Sequence, residues 1–227
     1  MSADYSQIEL RVMAHLSGEP ALIDAFNKNE DIHSRTASLV FNTSAEQITE
    51  DQRRTAKIVN FGIMYGAGPF RMSQELGISM VDARNLIDNY FNTYPEIRNF
   101  IDSTISNAKE LGYVKTVHGR KRKTRFLNSG NRQQIQAESR VIINMPIQGT
   151  AAELIKIAMI NIYHKLKTEK LKSKMILQVH DELIFEYPEE EYDQLYKIVV
   201  NEMENAMSLK VPLKVDVGIG DHWYDAH

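Results

Sequence analysis

Asp181 and Glu182 lie between two short apolar runs, residues 175–180 and 183–186, both rich in strand-forming side chains. Two such runs separated by two polar residues read as a β-hairpin with the acids at its tip. A tight turn on a rigid support leaves carboxylates half exposed, an arrangement suited to a hard cation such as magnesium. A solvated Asp–Glu turn explains the tripeptide His180-Asp181-Glu182 equally well when it is viewed alone. Asp4 stands in a second acid-bearing segment, Asp4-Tyr5-Ser6-Gln7-Ile8-Glu9-Leu10-Arg11, at an expected strand-to-helix junction. Helix starts favour anions, so this segment could receive phosphate as well as metal-bridged oxygens. If the two distant aspartates were brought side by side, they would make a two-metal site for in-line phosphoryl transfer.

Arg53, Lys57, Phe61 and Tyr65 are spaced four apart. Each step of four advances about 400° around a helix, so the four share one drifting face. Cations followed by aromatic rings match a nucleoside triphosphate, with charge for the phosphates and a ring near sugar and base. An ordinary helix with basic residues at its start and core aromatics at its end gives the same pattern. Gly62 and Gly66, beside Phe61 and Tyr65, suggest a close approach or a bend. Arg140, Asn144 and Gln148 repeat the four-residue spacing with side chains suited to base edges and sugars. Pro146 is expected to keep these three out of one unbroken helix.

The elements that position these residues follow from capping signals and periodicity. Ser6-x-x-Glu9 is a capping-box pattern that predicts a helix from about Gln7 to Leu16, and Thr49-x-x-Gln52 predicts one carrying Arg53 to Phe61 or Tyr65. Residues 90–112 read as a helix with Pro95 in its first turn, 151–166 as an apolar helix, and 188–207 as an amphipathic one. Leu213, Val215, Val217 and Ile219 alternate with Lys214, Asp216, Gly218 and Gly220, a half-buried strand. Strands at both chain ends with helices between them indicate an α+β fold in which the helical middle is an excursion from a sheet.

The 227-residue chain is 43% hydrophobic and 25% charged, ordinary for a globular protein, and has no cysteine. Disulfide and thiolate chemistry are thereby excluded, and a metal must sit on oxygen or imidazole. No apolar run is long enough for a membrane span, and the start lacks the pattern of a signal peptide. The net charge of -3 hides a segregation: residues 115–125 hold six basic residues and no acid, while 186–193 hold five acids and no base. The basic stretch, expected as a loop or hairpin, could bind phosphates.

Together these segments resemble DNA polymerases of family A, the bacterial DNA polymerase I type. The segment from Asp4 to Arg11 is similar to that family's motif A. Arg53-x-x-x-Lys57-x-x-x-Phe61-x-x-x-Tyr65-Gly66 is similar to motif B, and Val179-His180-Asp181-Glu182 to motif C. Asp31-Ile32-His33, Gln148-Gly149-Thr150-Ala151 and the ending Gly220-Asp221-His222-Trp223-x-x-Ala226-His227 also fit. The resemblance implies a palm with an antiparallel sheet (residues 1–19 and 139–227) and a mostly helical fingers insertion (20–138). It implies DNA-directed DNA polymerase activity in replication and repair, in the cytoplasm of a bacterium and associated with its nucleoid. The partners implied are primer–template DNA and a deoxynucleoside triphosphate (dNTP), with no membrane.

On this resemblance Asp4, Asp181 and the main-chain carbonyl of Tyr5 would ligate two magnesium ions, which manganese could replace, with Glu182 in support. His33, Arg53 and Lys57 would hold the triphosphate, and Lys57 would also donate a proton to the leaving group. Gln7 would contact the nucleotide, Glu9 would exclude a ribose 2′-hydroxyl, Phe61 would lie against the sugar, and Tyr65 would occupy the templating position before closure. Arg140, Asn144, Gln148 and His180 would contact the primer–template. The family carries a thumb and usually an exonuclease domain ahead of motif A. Here motif A opens the chain, so both are expected to be absent and the strand bearing Asp4 to be a weakly held stub. Poor activity of this piece alone and self-association through an open sheet edge are expected. A metal-dependent nuclease using the same aspartates, and a non-enzymatic nucleic-acid-binding module, are the rival readings.

Overall fold

The computed structural model describes residues 1–226, which form two compact units: residues 1–12 with 150–226, and residues 13–149. The sheet belongs to the first unit. Its strands β1 (Ser2–Tyr5), β4 (Lys174–Val179), β5 (Glu182–Glu186) and β6 (Val215–Gly218) run in the order β4-β5-β1-β6, every pair antiparallel. The expected weakness of β1 does not hold, because this short strand is paired on both sides. Its preceding amine donates to the Phe185 carbonyl at 3.1 Å and the Met1 carbonyl accepts from Phe185 N–H at 2.8 Å.

Alternation along the strands separates two faces. Ala3, Tyr5, Leu183 and Phe185 are buried on one of them, and the Tyr5 hydroxyl donates to the Met203 carbonyl at 2.7 Å. That carbonyl lies near the end of α9 (Tyr192–Glu204), whose buried stripe is Leu195, Val199 and Met203 at four-residue spacing. The helix expected over 188–207 is therefore shorter, and a 3₁₀ turn at Glu189–Glu191 precedes it. Glu191 of the acidic run accepts from the Lys172 and Ser173 amides, each at 2.9 Å, and from the Ser173 hydroxyl at 2.6 Å. Likewise β6 is shorter than the alternation over 213–219 suggested.

Helix α1 (Ile8–Ser17) starts one residue later than expected and without Ser6 as its cap. Gln7 precedes it in left-handed backbone (φ 54°), while Ser6 is already committed: its N–H donates to Lys214 O at 2.9 Å and its carbonyl accepts from Arg11 Nε at 2.7 Å. Arg11 is buried, and its Nη1 also donates to the Pro212 carbonyl at 2.6 Å. Burial pulls this guanidinium down to about 10, against the charges of Asp216 and Glu204.

The second unit is helical: α2 (Pro20–Asn27), α3 (Ile32–Phe41), α4 (Glu50–Met64), α5 (Pro69–Leu76), α6 (Met80–Thr93), α7 (Pro95–Leu111) and the first half of α8 (Arg132–Thr168). The helix expected from Tyr90 is two, broken at Tyr94, with Pro95 opening α7. Proline at a first helical position loses no bond, because that N–H has no partner within the helix. The basic stretch is the hairpin of β2 (Tyr113–Lys115) and β3 (Lys121–Lys123), as expected. Ala108, Val114, Leu127 and Ile142 form a core cluster that joins α7, the hairpin and α8.

Helix α8 overturns the expectation drawn from Pro146, which lies inside 37 continuous helical residues. A proline removes one rung, here the bond to the Ile142 carbonyl. Ile142, Ile143 and Ile147 around it are buried, and that packing holds the helix across the missing rung. Gly149 is required by a close approach: a Cβ there would sit 2.6 Å from Thr116 Cγ2.

Candidate functional site

In the first unit the sheet register collects acids. Asp4 pairs with Glu182 of β5 on one side and with Asp216 of β6 on the other, so three carboxylates form one row across a single face. This is the face opposite the one packed on α9. The hairpin tip is His180-Asp181 rather than Asp181-Glu182: His180 takes the left-handed backbone (φ 54°) and Glu182 is already in β5, paired with Val179. Gln178 Nε2 closes the turn by donating to the His180 carbonyl at 2.9 Å. The Asp181 carbonyl lies 3.4 Å from Tyr5 N–H, which sets the turn beside the end of β1. Asp4, Tyr5 and Asp181 are thus neighbours, although Tyr5 and Asp181 are 176 positions apart in sequence.

Glu182 is buried, and its carboxylate accepts from the Ser2 hydroxyl and from Trp223 Nε1 at 3.0 and 3.2 Å. Trp223 lies in a 3₁₀ turn, Trp223–Asp225, of the C-terminal segment, and His227 of the expected signature falls outside the described residues. Among the described residues no group of three or more His, Cys, Asp or Glu side chains is arranged to hold a metal ion. Asp4, Asp181 and the Tyr5 carbonyl offer hard oxygens, the donor type that magnesium takes. Gln7 has a buried Oε1 with no hydrogen-bond partner among the described residues, directly after left-handed backbone has turned the chain from strand to helix.

In the second unit, α4 opens with the expected capping box: Gln52 N–H donates to Thr49 Oγ1 at 3.2 Å and Thr49 N–H to Gln52 Oε1 at 2.9 Å. Arg53 and Lys57 are exposed, and Phe61 and Tyr65 are half-buried with their rings stacked, 6.3 Å between centroids. Arg53 Nε donates to Asp31 at 2.6 Å, and Asp31 also caps α3 by accepting from the His33 and Ser34 amides. These bonds hold the Asp31 carboxyl below its usual range against the opposing effect of burial. His33 is 3% exposed and its ring centroid lies 5.9 Å from that of Phe61. Burial pushes its imidazole down to about 4; the Asp31 charge opposes that shift and those of Arg53 and Lys57 add to it. Tyr65 caps α4, and the next residue, Gly66, has φ 70°, with Arg140 so near that a Cβ would lie 2.9 Å from its Cγ. A side chain at Gly66 would be strained and would push Arg140 away.

Arg140, Asn144 and Gln148 lie on one face of α8, with Arg140 and Gln148 exposed and Asn144 half-buried. The Oδ1 of Asn144 is buried without a hydrogen-bond partner among the described residues.

A family model described as DNA polymerase family A matches residues 1–225. The chain belongs to DNA polymerase family A. It is 47% identical over 225 residues to DNA polymerase I of Caldicellulosiruptor bescii and, over the same length, to that of Bacillus subtilis; in each case 99% of the chain aligns with 26% of the relative. The solved POL domain of Pol1 from M. smegmatis, in complex with DNA primer-template and dNTP, is 43% identical with a TM-score of 0.96, covering 99% of this chain and 40% of that one. The chain thus spans about a quarter of the length of the curated relatives it matches.

Several supporting contacts of the candidate residues carried no signal in the sequence. Ser2 joins Trp223 in holding Glu182, Arg11 of the motif A segment reaches the Pro212 carbonyl before β6, and Asn60, Thr36 and Tyr94 stand behind His33. Their partners are up to 201 residues away in sequence, beyond the reach of any local pattern.

Proposed function

We propose that this chain carries the nucleotidyl-transfer centre of a template-directed DNA polymerase that extends a primer 3′-hydroxyl with deoxynucleotides and releases pyrophosphate. The observation that carries the reading is the register that places Asp4 beside the Asp181 turn and the Tyr5 carbonyl. On this reading residues 1–19 and 139–227 serve as palm, residues 20–138 as fingers, and the protein works in the bacterial cytoplasm in replication and repair.

Asp4, Asp181 and the Tyr5 carbonyl would hold two magnesium ions. When bound, such ions supply positive charge to the attacking and leaving oxygens. Arg53 and Lys57 neutralise the triphosphate, His33 donates a hydrogen bond to it, and Lys57 gives a proton to the departing pyrophosphate. Phe61 packs on the sugar while Glu9 fills the space of a 2′-hydroxyl and Gln7 contacts the nucleotide. Tyr65 occupies the templating position before closure, and Arg140, Asn144, Gln148 and His180 meet the primer–template. Among the described residues no helix is long and apolar enough to cross a membrane. Strands β4 and β6 form the outer edges of the sheet and carry backbone groups that a second copy could pair, so self-association at high concentration is expected.

The deciding measurement is nucleotide incorporation by the whole protein on a primed template with magnesium and the four deoxynucleoside triphosphates. Template-dependent extension supports the reading. Release of nucleotides from DNA alone, or DNA binding indifferent to both magnesium and triphosphate, overturns it.

A further inference from the structure

His33 is backed by a buried polar chain that the proposed chemistry does not use. Asn60 Nδ2 lies 3.1 Å from His33 Nδ1 and 3.2 Å from Thr36 Oγ1, and Thr36 Oγ1 lies 3.1 Å from the Tyr94 hydroxyl. Asn60, Thr36 and Tyr94 are each 0–1% exposed, so water cannot substitute for any of these bonds. An amide nitrogen has two N–H donors and no acceptor. Both donors of Asn60 are therefore used, one on Thr36 and one on His33. The ring nitrogen facing Asn60 must then be a lone pair, and the single proton of the neutral ring must be on the other nitrogen.

We propose that Asn60 is a positioning residue that holds His33 as the neutral tautomer protonated at Nε2, so that the ring offers one fixed N–H donor to a triphosphate oxygen. The proposal rests on the assignment of His33 to the triphosphate and deepens it. A neutral donor suits this face. Arg53 and Lys57 already bring two positive charges to α4, with Asp31 as the acid beside His33 and Arg53, and a third full charge would have to be desolvated with them. The depressed basicity of the ring agrees with a group that stays neutral through the range in which histidines ordinarily titrate. Thr36 Oγ1 lies 3.2 Å from the amide nitrogen and 3.3 Å from its oxygen, so Thr36 meets the amide in either orientation. A reversed amide would turn its oxygen to Nδ1 and draw the ring proton there, so the position of that proton reports the orientation.

The test is the ¹⁵N spectrum of the histidine rings in the whole protein, with His33 assigned by loss of its signal in His33→Gln. It is read beside the steady-state KM and kcat for deoxynucleotide incorporation. The expected wild-type spectrum has a protonated Nε2 and a bare Nδ1 at neutral pH. Asn60→Asp puts an acceptor where the donor was, so a proton should appear at Nδ1, with KM for the triphosphate raised about tenfold and kcat changed less than about twofold. A merely structural asparagine would not move the ring proton. A wild-type ring protonated at Nδ1 overturns the proposal, and so does an unchanged ring spectrum in folded Asn60→Asp. Should that variant fail to fold, the wild-type spectrum still decides the tautomer. An unchanged KM in His33→Ala overturns the triphosphate role itself whatever the spectrum reads, which separates failure of the parent assignment from failure of this one.

Discussion

The acid row on the sheet and the cation–aromatic face of α4 are built in opposite ways. Asp4 and Asp181 are placed by main-chain pairing: β1 is bonded on both sides and the Asp181 turn is closed by backbone and by Gln178. The α4 face depends on side chains, with Arg53 tied to Asp31, His33 to Asn60, and Asn60 to Thr36 and Tyr94. An acid presented by a backbone scaffold can be replaced without removing the main-chain bonds that form the scaffold. A buried polar network loses stability and function together when one member goes.

The sharpest way to test that contrast is Asp181→Ala or Asp4→Ala. Incorporation should fall by on the order of a thousandfold or more, because each variant loses a ligand to charge-stabilising ions. The midpoint of thermal unfolding should move by less than about 3 °C. Near-normal turnover in magnesium would remove these residues from the site, and loss of the fold would show that they hold the scaffold after all.

The helical region should instead show its dependence on pH. His33 has a folded value of about 4 against 6.5 for the free group. Below pH 6.5 the unfolded chain takes up a proton that the folded chain refuses. The stabilisation is therefore complete above about 6.5, falls as the pH drops toward 4, and is lost below that. The full span is worth about 3 kcal/mol. Chemical denaturation of wild type and His33→Gln between pH 4 and 7 measures it, and the variant should lack that part of the slope. Parallel slopes in the two proteins would mean that His33 takes up its proton in the folded chain as readily as in the unfolded one.

Sugar selection tests one residue from each region at a smaller scale. Glu9→Ala should raise ribonucleotide incorporation relative to deoxynucleotide by about tenfold or more. Phe61→Tyr should raise incorporation of dideoxynucleotides, because its new hydroxyl can stand in for the missing 3′-hydroxyl. Competition assays on one template read both ratios. Unchanged discrimination in both variants would mean that the sugar sits elsewhere.

How much of this was legible in the sequence follows from the range of each signal. The α+β class, the α4 capping box and the basic hairpin are written in patterns a few residues long, and each is found in the structure. Membership of family A is carried by the order and spacing of three short motifs. What could not be read depends on partners far along the chain. Pro146 looked like a break because the burial of Ile142, Ile143 and Ile147 is decided by other segments. Ser6 looked like a helix cap because nothing nearby says that Lys214 and Arg11 occupy its backbone groups. Glu182 looked like part of a turn because its pairing with Asp4 and its bonds to Ser2 and Trp223 are all long-range. β1 looked like a loose stub because its length was visible and its place in the sheet was not.

The smallest effect concerns the start of α4, where the two kinds of support meet. Thr49 is exposed and Gln52 half-buried, so the capping box contributes chiefly through its hydrogen bonds. Glu50 and Asp51 in the first turn suit the helix dipole, while Arg53 and Lys57 just beyond run against it. The cap therefore offsets a cost that Arg53 and Lys57 impose on their own helix. Thr49→Ala should lower stability by about 1 kcal/mol, and Thr49→Asp should restore most of that loss. Neither should change KM for the triphosphate by more than about twofold, because the buried bonds of Asn60 and the packing of Val59 and Ile63 hold the rest of α4 in place. A much larger KM change in Thr49→Ala would show that fraying of the first turn reaches Lys57. The α4 face would then be as dependent on its helix start as on the polar network behind His33.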